Sequence, residues 1–114
     1  MKAWMIDEAK LRRKLRELGH TGRRAGDRYV FAAVRIWAAR PGQALVAELY
    51  EAVGREVGVS GKAAEKSMRQ AMLAAWRWRH EQSLTEYLED LRPPTLGAYV
   101  AGLAFECQAE GDGR

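Results

Sequence analysis

The chain has 114 residues, 47% of them hydrophobic and 30% charged, with a formal net charge of +4. That length suits a single domain over residues 1–114 with its own buried core, and the balance excludes a disordered tail. No run of about 18 apolar residues and no apolar leader is present, so neither a membrane span nor a signal peptide is expected and the cytoplasm is the expected compartment.

The charge is unevenly distributed. Between Lys10 and Arg40 basic residues face only Glu17 and Asp27, whereas the acids collect after Glu81. A basic balance favours phosphate-bearing partners, although many ordinary soluble proteins share it. Cys107 is the sole cysteine, which excludes an internal disulfide and any multi-cysteine zinc site and reads as a small buried hydrophobe.

Met5, Ala9, Leu11, Leu15 and Leu18 recur at helical spacing, with Asp7 and Glu8 at the start and Gly19 past the end, predicting a first helix. His20 to Gly26 reads as a linker. Tyr29, Val30, Ala33, Val34 and Trp37 mark a second helix ending before Pro41, with Arg28 and Arg35 near its solvent side. Leu45, Leu49, Val53 and Val57 step by four into a third helix closed by Gly58.

Ser60 is placed to cap a fourth helix whose apolar stripe is Ala64, Met68, Ala71, Met72 and Ala75. This helix is expected to end nearer Trp76 than His80, with Trp76 in the core. Ser83 with Glu86 reads as a capping box opening a short helix to about Leu91. After Pro93 and Pro94, Thr95 opens a last helix through Tyr99, Val100, Leu103 and Phe105, and the tail from Glu110 is expected to fray. The expectation is therefore an all-α, six-helix fold without a sheet or internal repeat.

Only Gly58 and Val59 separate the third helix from the capped fourth, the short connection of a helix-turn-helix. With the apolar stripe inward, Lys62, Lys66, Arg69 and Leu73 fall on an outward line, beside Glu65 and Gln70. Lysine and arginine can donate to guanine O6 and N7, glutamine can pair with adenine, and glutamate can accept from cytosine N4. Lys62, Glu65, Lys66, Arg69 and Gln70 are therefore the expected base-reading set. Arg12, Arg13, Arg23, Arg24 and Arg28 are the expected phosphate contacts. The same residues also read more plainly: Glu65 and Arg69 form an ordinary i,i+4 surface pair, and lysines solvate an exposed helix face.

From Leu18 to Trp76 the sequence resembles the DNA-binding effector domains of the stage zero sporulation response regulators. The resemblance rests on Leu18-Gly19, Gly26 with Tyr29-Val30, Ala33-Val34, Leu49-Tyr50, and Ala64 to Met72 ending in Ala75-Trp76, with Pro94-Thr95 and Tyr99-Val100-Ala101 further on. It implies a six-helix fold, a fourth helix in the major groove, and domains in tandem on repeated sites. By the same resemblance Glu65, Lys66 and Arg69 match DNA-facing positions, and Gln70 replaces a histidine. Ala63 stands where the family has a base-reading arginine, with Lys62 one residue earlier as a partial substitute. Val46-Ala47 replaces a Thr-Lys pair and removes a phosphate contact. About ten residues precede the first basic helix, leaving no room for a receiver, so either an excised domain or a free-standing effector is expected.

The expected partner is double-stranded DNA. The rival expectation is an interaction module that modulates a full-length regulator or RNA polymerase, motivated by Ala63 and Val46-Ala47. His20 and His80 read as surface or boundary residues without metal-ligand spacing, and residues 19–26 lack the lysine-serine or lysine-threonine ending of a phosphate-cradling loop. No paired carboxylates, catalytic group, cofactor or metal is expected.

Overall fold

A computed structural model describes residues 5–40, 46–83 and 93–109. Among them the chain forms five helices: α1 (Glu8–Glu17), α2 (Ala25–Ala39), α3 (Val46–Val57), α4 (Gly61–Ser83) and α5 (Leu96–Glu106). The expected short helix from Ser83 to Leu91 lies outside the described residues except for Ser83, which is the last residue of α4. Leu45 and the tail from Glu110 also lie outside them.

Local chemistry sets several boundaries. The Asp7 carboxylate accepts from the Lys10 amide at 3.0 Å and opens α1. The Thr95 hydroxyl accepts from the Ala98 amide at 3.2 Å and opens α5. Each satisfies one of the amides that a helix start leaves without an intrahelical acceptor. Gly19 follows α1 at φ +104°, a conformation that costs little without a Cβ.

Two boundaries differ from the sequence expectation. α2 begins at Ala25, so Gly26 belongs to the helix and not to the linker. At Gly26 a Cβ would collide with the backbone carbonyl of Ser67 and crowd the Ala71 side chain, so the missing side chain lets α2 and α4 approach closely. α4 continues beyond Trp76 to Ser83 because its far end is anchored. The Arg79 guanidinium donates to the Leu18 carbonyl at 2.6 Å, and Trp78 and Ala75 lie against Gly19.

The core joins Leu11 and Leu15 of α1, Val30 and Val34 of α2, Leu49 and Val53 of α3, Met68 and Met72 of α4, and Leu96 and Val100 of α5. α4 packs chiefly against α2 and α3, and α5 packs against α2. Trp76, expected in the core, is only half-buried, and Phe105 is 67% exposed. Cys107 is fully buried, as expected, and burial pushes its thiol pKa up.

The segments flanking α1 and α5 clasp each other. Ile6 and Gln108 form an isolated antiparallel bridge, the Asp7 amide donates to the Cys107 carbonyl at 2.9 Å, and the Ala109 amide donates to the Met5 carbonyl at 2.7 Å.

Candidate functional site

The connection between α3 and α4 is tight. Gly58 turns at φ +84°, and the amides of Gly58 and Val59 both donate to the Gly54 carbonyl, at 2.8 and 2.9 Å. A Cβ on Gly54 would stand 2.5 Å from the Val59 carbonyl oxygen, and one on Gly61 would stand 3.0 to 3.2 Å from Glu51. Glycine at both places allows the turn to close. The Ser60 hydroxyl then accepts from the Ala63 amide at 3.0 Å and restarts the chain as α4.

With Ala64, Met68, Ala71, Met72 and Ala75 buried, the helical repeat leaves Lys62, Lys66, Arg69 and Gln70 exposed. Leu73, expected on the same outward line, is half-buried and packs against the core. Arg77 is exposed and extends this polar side beyond the point where the sequence reading ended the helix. Lys62, Lys66, Arg69, Gln70 and Arg77 share about 100° of arc on an ideal helix. They span about 22 Å along its axis.

Glu65 and Arg69 engage each other, with the guanidinium donating to the carboxylate at 2.9 Å. The pKa of the Tyr50 hydroxyl on α3 is raised by burial first and by the Glu65 charge second, against the opposing pull of Arg69. The i,i+4 surface pair anticipated from spacing therefore exists. Lys62 and Lys66 have no ion-pair partner among the described residues.

The expected phosphate-contacting arginines separate into groups. Arg24 precedes α2 and, because Gly26 brings that end close to α4, lines a recess of about 510 Å³ with Ser67, Gln70 and Ala74. Arg23 is exposed beside it. Arg12 and Arg28 border a different recess, of about 390 Å³, together with Arg16 and without any α4 residue. Arg13 is exposed on α1. The fold thus places Arg24 beside Gln70 and directs Arg12 and Arg28 elsewhere.

His20 departs most from the sequence expectation. It is only 5% exposed, not a surface or boundary residue. One ring nitrogen, Nδ1, lies 2.8 Å from Asp27 Oδ1, and the other, Nε2, lies 2.6 Å from the Tyr99 hydroxyl. The second Asp27 oxygen accepts from the amides of Gly22 at 3.0 Å and Arg24 at 3.3 Å, tying the linker to the first turn of α2. Against the burial that raises the Tyr99 pKa, the Arg79 charge, on α4, pulls it down.

Burial lowers the His20 pKa, with Asp27 pulling it up and Arg79 and Arg24 pulling it down. Burial also pushes the Tyr99 pKa up to about 12. A neutral imidazole donating from Nδ1 to Asp27 and accepting at Nε2 from the protonated tyrosine satisfies both contacts. This junction is built from side chains distant in sequence. Asp27 near a helix start was a visible signal, but nothing in the spacing joined His20 to Tyr99, 79 positions away.

Among the described residues no group of three histidine, cysteine, aspartate or glutamate side chains could hold a metal ion. No described helix is long and apolar enough to cross a membrane. Comparison with protein-family models, with curated proteins and with solved structures returns no match.

Proposed function

We propose that the protein is a sequence-specific duplex-DNA-binding transcriptional regulator in which α3 and α4 act as a helix-turn-helix and α4 lies in the major groove. The carrying observation is the row of exposed donors on α4 immediately after a tight, glycine-closed and serine-capped turn. Lys62, Lys66 and Arg69 would donate to guanine edges, Gln70 would pair with adenine, and Glu65 would accept from cytosine. Arg69 would exchange some of its contact with Glu65 for a base, which exposed i,i+4 pairs permit because they contribute only about 0.2–0.5 kcal/mol.

Arg23 and Arg24 would neutralise phosphates at the edge of the same groove. Arg12 and Arg28 belong to another recess and are outside this footprint. The resemblance to sporulation-regulator effector domains supports the same reading and adds tandem binding on repeated half-sites. The reading needs no cofactor and no catalytic step.

Selection of preferred sites from a random duplex library by the full chain tests the proposal. The expected result is a defined site bound more tightly than its scrambled version at every salt concentration. Equal binding to both would remove sequence reading. No duplex binding, with retention of RNA polymerase or a full-length regulator, would transfer the function to protein interaction.

A further inference from the structure

The recess bordered by α1, the connection to α2 and α2 itself carries more positive charge than its surroundings neutralise. Arg12 and Arg16 lie one turn apart on α1, and Arg28 faces them from α2. Arg12 reaches Glu8 only at 3.7 Å, with both side chains largely exposed. Arg28 makes a long hydrogen bond, 3.4 Å, to the Gly22 carbonyl. Neither Arg16 nor Arg28 has an ion-pair partner among the described residues. Asp27 is the one carboxylate in the lining, and its two oxygens are taken by His20 and by the amides of Gly22 and Arg24.

The remaining walls suit a flat apolar body. Phe31 forms one side, with the Arg12 guanidinium 4.8 Å from its ring centre and that of Arg35 at 5.9 Å. The base of the recess is held by buried Leu15 and by the His20–Asp27 pair, so its shape is built into the fold. Its volume, about 390 Å³, falls within the range of small-ligand pockets. Guanidinium groups bind phosphate oxygens with paired donors and also stack on planar rings.

We propose that this recess is a binding site for a free phosphorylated ligand bearing a planar ring, of mononucleotide size. Its phosphate lies between Arg16 and Arg28, and its ring stacks on the outer face of the Arg12 guanidinium, which itself lies over Phe31. A phosphate of duplex DNA offers the same anionic chemistry, but it would leave the stacking face of Arg12 unused and would approach a recess that no α4 residue lines. The site is independent of the reading line on α4.

The test is titration of the full chain with each of the four 5′-ribonucleoside monophosphates, followed by calorimetry and by backbone amide resonances, with adenosine and inorganic phosphate as controls. At least one nucleotide is expected to shift the amides of Thr21, Gly22 and Phe31 and to bind more tightly than either control. Arg16→Ala and Arg28→Ala should each weaken it about tenfold, the scale of losing one charge-assisted hydrogen bond. Duplex affinity should be unchanged in Arg16→Ala. The proposal is overturned if none of the four nucleotides shifts those amides at millimolar concentration, or if a variant carrying both Arg16→Ala and Arg28→Ala binds as tightly as the unaltered chain. Loss of duplex affinity in Arg16→Ala without nucleotide binding would instead make the recess a DNA backbone contact.

Discussion

His20, Asp27 and Tyr99 are almost wholly removed from water, whereas Lys62, Lys66 and Gln70 stand in it. Every described buried side-chain nitrogen or oxygen has a hydrogen-bond partner, so the buried set is complete. Its members come from the α1–α2 connection, α2 and α5, and they can meet only if those segments are correctly arranged. Such a network restricts the chain to one packing because a partly satisfied version is costly. The exposed set imposes no comparable condition on folding. Its donors are satisfied by solvent and can be given to a partner.

The largest effect should come from the close approach that connects the two regions. Gly26→Val would force a branched side chain into the Ser67 carbonyl and should destabilise the fold by about 3 kcal/mol, as overpacking does. A shifted urea midpoint would measure it. An unchanged midpoint would mean that α2 and α4 are not held this tightly.

Asp27→Ala should rank next, because it leaves the buried His20 donor without an acceptor at a cost of about 2 kcal/mol. Arg69→Ala should show the opposite profile. Stability should stay within about 0.5 kcal/mol, as for most surface changes, while discrimination between preferred and scrambled duplexes falls by about 1–3 kcal/mol. If Arg69→Ala unfolded the protein and left discrimination intact, the contrast between the two regions would fail.

Proton linkage gives a graded test. Because burial lowers the His20 pKa below its ordinary value of 6.5, the unfolded chain binds more protons than the folded one once pH falls below that value. The associated stability is complete above pH 6.5 and is lost as pH falls from there through the lowered folded-state value. The slope cannot exceed about 1.4 kcal/mol per pH unit for one proton. Urea unfolding between pH 7 and 5 should show this loss, and His20→Gln should flatten it. The smallest expected effect is at Arg24→Ala, where the logarithmic salt dependence of duplex binding should become shallower by about 0.9.

Much of the helix pattern was legible because its signals are local. Asp7, Ser60 and Thr95 cap the helices they were expected to cap, and Gly58 turns the chain where expected. The stripe from Ala64 to Ala75 is buried as its spacing required. The start of α2 was misread because Gly26, ordinarily a linker residue, is needed where two helix backbones meet. The end of α4 was misread because Arg79 and Trp78 hold it through Leu18 and Gly19, a contact without a short-range sequence signal. His20 was misread for the same reason. Of the sequence-predicted side chains, those on α4 share one side, but Arg12 and Arg28 could be separated from Arg24 only by knowing how α1 and α2 pack.

The bridge between Ile6 and Gln108 also has an engineering consequence. Since the Ala109 amide already donates to the Met5 carbonyl, a link made between those two residues would require little reach, and the chain could be reopened elsewhere as a circular permutant. A cut within residues 58–60 would sever the tight turn while leaving the residues of every helix present. Such a permutant would separate the continuity of that turn from the packing around it.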